Sequence, residues 1–243
     1  MKGNIILVTG GSGLLGAEMI RNLQTRGATT VNLDINCGDD LSQGSLICDI
    51  TSDESIYKAV ERVVNEYGHI DGLVNNAYPR TKDWGTSFED TDPESWRLNV
   101  DWQLNSYVVL CQEVIRHMKR QNKGSIVNIA SIYGVVGNDF TIYEGTSIKP
   151  VAAYCAIKGA LINLTRFLAS QYGQNNIRVN CVSPGGIFDN QPELFVKAYE
   201  RKVPMKRMGH PDDIAPAVTF LLSNDAKYIT GHNLIVDGGW TSI

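Results

Sequence analysis

Short apolar runs recur along the chain, and most are followed by a stretch in which apolar positions return every three or four residues. The runs at 5–9 (IILVT), 29–34 (TTVNLD), 45–49 (SLICD), 70–77 (IDGLVNNA), 125–131 (SIVNIAS), 177–184 (IRVNCVSP) and 233–237 (NLIVD) read as strands. Between them, a helix is predicted from the glycine-rich loop after the first run to about Arg26. A second covers 52–68, with Ser52 as its N-cap, Asp53 and Glu54 in its first turn and Gly68 at its end. A third, long one runs through 151–174. Strands separated by helices form right-handed crossover units. The expected fold is therefore α/β: a doubly wound parallel sheet of about seven strands, with helices on both faces.

No linker, repeat or low-complexity segment interrupts this alternation, so one domain over 1–243 is expected. Two stretches, 78–94 and 134–150, read as long loops, which in a compact fold are more often functional than idle. Composition changes this picture little. The chain has 243 residues, 43% of them hydrophobic and 20% charged, which suits an ordinary globular protein. A net charge of −4 gives no basic footprint for nucleic acid, and no apolar run is long enough to span a bilayer. The N-terminal apolar run is too short for a secretory leader. Five scattered cysteines without a C-x-x-C pair argue against a disulfide framework and a metal site, and for a reducing, cytoplasmic setting. Cys155 reads as a packing thiol, since no histidine lies near it in sequence.

The segment TGGSGLLG (9–16) joins the first strand to the first helix. Gly10, Gly13 and Gly16 permit a tight turn and close approach of a pyrophosphate, which the helix N-terminus then attracts. Asp34 ends the second strand, 18 residues beyond Gly16. A carboxylate there accepts ribose hydroxyls and repels a 2′-phosphate. No Arg or Lys stands in the loop or just after Asp34, so NAD(H) is favoured over NADP(H). Strand, loop, helix and acid together point to a Rossmann-like dinucleotide site. Asp49 and Ile50, after the third strand, are candidates for holding the adenine, with a simple turn as the other reading of Asp49.

The chain contains two Tyr-x-x-x-Lys matches, YPRTK (78–82) and YCAIK (154–158). In the first, Pro79 and the nearby Gly85 oppose a helix, so the spacing does not bring the groups together. The second opens the long apolar-periodic helix, where four residues are one turn. A free phenol titrates near ~10, and a cation one turn away is expected to lower that value.

TGGSGLLG, NNAY (75–78), ASIYG (130–134), YCAIK and SPGGI (183–187), in this order, resemble the short-chain dehydrogenase/reductase family, and the resemblance extends through ITGHNLIVDGG (229–239). It implies that Tyr154 is the acid/base and Lys158 its partner on the nicotinamide ribose, with Ser131 binding the substrate oxygen. It places Ser12 and Leu15 with the loop glycines at the cofactor, Asn76 and Ala77 on the adenosine and ribose side, and Pro184, Gly185 and Ile187 beside the nicotinamide carboxamide. It also implies a homo-oligomer, a tetramer or dimer.

The chain departs from the family's usual pattern in four places. Leu14 replaces the middle glycine of the loop, and Tyr78 replaces a glycine, narrowing the cleft. Gln103 stands where a helical asparagine belongs to the catalytic set; either its carbonyl substitutes or the relay through Lys158 is altered. Ser131 and Tyr154 are 23 residues apart, a longer gap than usual, the excess being 138–150. That insertion offers Tyr143, Glu144, Thr146 and Lys149 to a polar substrate, and 188–204 is the expected substrate lid. IYEGT with SPGGIFDNQPE (183–193) is similar to a subgroup found with flagellin modification and surface-sugar biosynthesis. The expected activity is NAD(H)-dependent interconversion of an alcohol and a carbonyl on a polar, sugar-like small molecule. The alternatives are a ketoacyl-thioester reductase and a non-catalytic NAD-binding module.

Overall fold

A computed structural model describes residues 1–243. Seven strands form one parallel sheet in the order β3-β2-β1-β4-β5-β6-β7. They are β1 (Ile5–Thr9), β2 (Thr29–Asp34), β3 (Ser45–Ile47), β4 (Gly72–Asn75), β5 (Gly124–Ile129), β6 (Ile177–Pro184) and β7 (Asn233–Val236). The helices are α1 (Leu14–Thr25), α2 (Asp53–Tyr67), α3 (Pro93–Val100), α4 (Ser106–Gln121), α5 (Ala152–Tyr172), α6 (Glu193–Lys202) and α7 (Pro211–Leu222). No helix is long and apolar enough to cross a membrane.

Alternation along each strand divides the core. Ile5 and Leu7 of β1 pack in a cluster with α2, α4 and α5, whereas Ile6 and Val8 pack with α1 and α7. Both faces are covered, so β1, β4 and β5 are buried throughout, as parallel strands require. The order of connection reverses between β1 and β4, and a crevice opens beyond their C-terminal ends.

Several boundaries differ from the sequence reading. β3 ends at Ile47, β4 spans only Gly72–Asn75, and β5 ends at Ile129, two residues before Ser131. In each case the chain leaves the ladder to build the crevice, so the apolar run outlasts the strand. The expected 188–204 lid contains a helix, α6, whose Phe195 and Tyr199 are buried. The 78–94 loop ends at Pro93 of α3, which Asp92 caps by accepting from the Glu94 amide at 2.9 Å. Between α3 and α4 the helix does not break. It widens into one π-turn, Asp101–Asn105, which faces the buried Gln103 inward.

Candidate active site

One cleft of about 840 Å³ runs along the C-terminal ends of the central strands. All fifteen site residues expected from sequence line it, from Gly10, Ser12, Gly13 and Leu15 through Asp34, Asp49, Ile50, Asn76 and Ala77 to Ser131, Tyr154, Lys158, Pro184, Gly185 and Ile187.

At one end the backbone itself is the wall. Gly10 has φ +64°, and a Cβ there would lie 2.8 Å from Ala77 Cα. A Cβ on Gly16 would collide with the Gly10 carbonyl, so α1 can start this close to β1 only with glycine at 16. Thr9 Oγ1 accepts from the amides of Asn76 and Ala77 at 2.9 and 3.0 Å, and Asn76 Nδ2 donates back to Thr9 O at 3.0 Å. This stitches the ends of β1 and β4 together. Asp34 accepts from the Ser12 amide at 3.0 Å through Oδ2 and from Asn36 at 2.8 Å through Oδ1. Its carboxylate is thereby fixed at the mouth of the glycine loop. Asp49 is exposed and accepts from the Thr51 amide and hydroxyl at 2.9 and 2.8 Å, while Ile50 is buried. Asp49 therefore serves the turn as well as lining the cleft. The residues present fit a dinucleotide with its pyrophosphate on the α1 N-terminus and a ribose at Asp34.

At the middle, α5 packs against β6 and the turn that follows β5. A Cβ on Gly134 would lie 2.7 Å from the Lys158 carbonyl carbon, so the turn after β5 touches the α5 backbone directly. Lys158 is 5% exposed and donates through Nζ to Ile129 O at 2.7 Å. It has no acidic partner, and burial pushes its amine down to about 7. Nζ also lies 5.4 Å from the Tyr154 ring centre and 5.6 Å from that of Tyr78. Ser131 is fixed by accepting from the Tyr133 amide at 3.2 Å.

The expectation of an acidified Tyr154 is corrected here. Burial pushes its hydroxyl up, and only the hydrogen bond with Ser131 pulls the other way. Desolvation outweighs the neighbouring amine, whose own charge the same burial disfavours.

The substrate end is aromatic with hydroxyl tips. Tyr78 meets Trp84 and Tyr154 edge-on, each at 5.6 Å between ring centres. The YPRTK segment is not helical, and Tyr78 lines the cleft while Lys82 does not. Of the four insertion residues expected to face substrate, Tyr143 alone does so, its hydroxyl 2.9 Å from that of Tyr133. Thr146 instead bonds Tyr143 O at 2.8 Å to close a turn, and Glu144 and Lys149 lie outside the cleft. Arg80, Tyr133, Asp189, Gln191, Phe195 and Tyr199 also line the cleft, though no site role was expected of them from the sequence. Phe195 and Tyr199, one helical turn apart, could have been found as the apolar face of α6. Cys155 is half-buried and bonds Asn138 Oδ1 at 2.9 Å, in keeping with a packing thiol.

Gln103 is 2% exposed and stands apart from the cleft lining. Its Nε2 faces two acceptors, Pro79 O at 2.8 Å and Asn99 Oδ1 at 3.4 Å, which fixes the amide orientation. Its Oε1 is buried without a partner.

A family model described as enoyl-(acyl carrier protein) reductase matches residues 15–241. The chain belongs to the short-chain dehydrogenase/reductase family. With that family it joins the NAD(P)-dependent oxidoreductases that act on CH–OH groups. It is 33% identical, over 99% of both chains, to post-translational flagellin modification protein A of Campylobacter coli. It is 32% identical to 2-(S)-hydroxypropyl-CoM dehydrogenase 3 of Xanthobacter autotrophicus, covering 100% of this chain and 98% of that one. A crystal structure of a short chain dehydrogenase from Leptospira borgpetersenii with bound NAD+ superposes with a TM-score of 0.90 at 36% identity, over 99% of this chain and 94% of that one.

Proposed function

We propose that the protein is an NAD(H)-dependent dehydrogenase/reductase that interconverts an alcohol and a carbonyl on a polar, sugar-like small molecule. The observation that carries this reading is the packing of α5 on the turn after β5, which supports Tyr154, Lys158 and Ser131 acting as one group in the cleft. NAD(H) supplies or accepts the hydride when bound. Tyr154 holds the proton given to the carbonyl oxygen, and its raised affinity for that proton suits reduction at neutral pH. Ser131 donates to the same oxygen as negative charge develops on it. Lys158, tied to Ile129 O, keeps donors for the nicotinamide ribose. Asp34, already oriented by two amides, supports NAD(H) over NADP(H).

The hydroxyls of Tyr133 and Tyr143, with the Asp189 carboxylate, favour a substrate with several polar groups. The similarity to a flagellin modification protein supports a role in modifying surface sugars. All five thiols are free, which supports a reducing, cytoplasmic compartment. Membership of the family supports a homo-oligomer, a tetramer or dimer.

The test follows NADH absorbance with keto-sugars, nucleotide sugars and ketoacyl thioesters. Turnover is expected on a polar carbonyl compound, with Tyr154→Phe lowering kcat by ~10²–10⁴-fold. Turnover unchanged in Tyr154→Phe rejects the acid/base assignment. NADH binding without turnover of any compound favours a binding module.

A further inference from the structure

Besides the buried Lys158, the cleft holds a second cation without a counter-ion. Arg80 lines the cleft, is exposed, and enters none of the chain's ion pairs. Arginines at loop tips are usually solvated and mobile, yet this one is held from both sides. On its N-terminal side, Pro79 O accepts from Gln103 Nε2 at 2.8 Å. On its C-terminal side, the Thr81 amide donates to Asn99 Oδ1 at 3.2 Å, and Asn99 Nδ2 donates to Thr81 Oγ1 at 2.7 Å. Gln103 and Asn99 are 2% and 3% exposed, so two buried amides from the α3 and π-turn segment clamp the backbone that carries the guanidinium.

The side chain is supported as well. Its guanidinium carbon lies 5.2 Å from the centre of the Tyr78 ring, and that ring lies 5.6 Å from the ring of Tyr154. The two distances end to end bound the separation of Arg80 from the Tyr154 ring. A planar, five-donor cation on an anchored backbone thus lines the same cleft as the phenol, a short carbon chain away. The acid on the facing segment, Asp189, forms no ion pair with it.

We propose that Arg80 is the receptor for an anionic oxygen group, phosphate or carboxylate, carried by the substrate, with Gln103 and Asn99 as its positioning residues. The proposal rests on the oxidoreductase reading for the identity of the ligand as substrate. It also accounts for glutamine at 103: the amide reaches across to Pro79, and one methylene fewer would leave that carbonyl free.

The test is calorimetric titration of the protein–NADH complex with two matched pairs, fructose 6-phosphate against fructose and levulinate against methyl levulinate. The charged member of at least one pair is expected to bind about 10–100-fold more tightly, the range of a charge-assisted hydrogen bond. Preference within the first pair alone assigns phosphate, and within the second alone carboxylate. Arg80→Met abolishes the preference, and Arg80→Lys retains part of it. Gln103→Leu lowers the charged-to-neutral ratio several-fold, and Gln103→Asn does not restore it, whereas a merely structural role would lower both affinities together. Equal affinities in the wild type, no binding by either member of either pair, or a preference that survives in Arg80→Met overturns the proposal. Turnover of the same pairs reports separately: a preference without hydride transfer keeps the anion receptor and rejects the oxidoreductase reading, and hydride transfer without a preference does the reverse.

Discussion

The two ends of the cleft are built by different means. At the cofactor end the shape comes from main chain: Gly10 against Ala77, Gly16 against Gly10, and a carboxylate oriented by two amides. At the proposed substrate end it comes from side chains meeting side chains, such as Tyr133 with Tyr143, Tyr78 with Trp84, and Tyr143 with Phe195. A wall of main chain tolerates few residue types and leaves a pattern in the sequence. A wall of side chains can be assembled from many, and leaves little.

The sharpest way to break this contrast is at Gly134, where the two building methods meet. A methyl group there must push the turn after β5 away from the α5 backbone, since its Cβ would lie 2.7 Å from Lys158. Gly134→Ala is expected to lower kcat by about 10²-fold, the cost of a small misplacement of reacting groups, with NADH affinity little changed. Stopped-flow turnover with fluorescence titration of NADH checks both halves, and a matched loss of NADH affinity would mean that the two ends are not separable. Next in size is Asp34→Ser, which removes a carboxylate held by Ser12 and Asn36 amides. NADH affinity should fall about tenfold and the discrimination against NADPH should shrink, while kcat at saturation stays. NADH affinity that does not change would place the ribose elsewhere.

The smallest effect concerns pH. Burial holds the Lys158 amine at about 7, against ~10.4 when free. Between those values the unfolded chain binds a proton that the folded chain has released. This contribution therefore stabilises the fold progressively as pH rises from 7 to 10. The buried thiols of Cys48 and Cys181, pushed up to about 11, act in the opposite direction above pH 8.5. The difference in urea midpoint between wild type and Lys158→Met isolates the lysine and should grow in favour of wild type across pH 7–10. A flat difference would mean that the folded protein keeps this amine charged.

The same contrast explains what could be read from residues alone. Short apolar runs point to all seven strands, and the glycine loop with Asp34 points to one end of the cleft, because both are demanded by backbone geometry. Strand ends were overrun at Ile47, Asn75 and Ile129, since apolar character continues into the cleft after the ladder stops. Arg80 was invisible because nothing in YPRTK says that Gln103 and Asn99 would fix its neighbours across the fold. Tyr154 lines the cleft as its spacing suggests, yet burial reverses the direction expected for its acidity. Spacing reveals a neighbouring amine, but not how far both groups lie from water.

Two of the four tryptophans stand where separate parts of the cleft can be watched. Trp84 lies edge-on to Tyr78 and Tyr154, at 5.6 and 6.5 Å between ring centres. Trp240 stacks at 4.5 Å on Tyr199, whose hydroxyl takes the Gly186 amide at 2.6 Å. The molecule therefore carries its own optical reporters. Emission from Trp84 samples the reacting phenol, and emission from Trp240 samples the loop after β6, so replacing either indole by phenylalanine separates the two signals without an added dye.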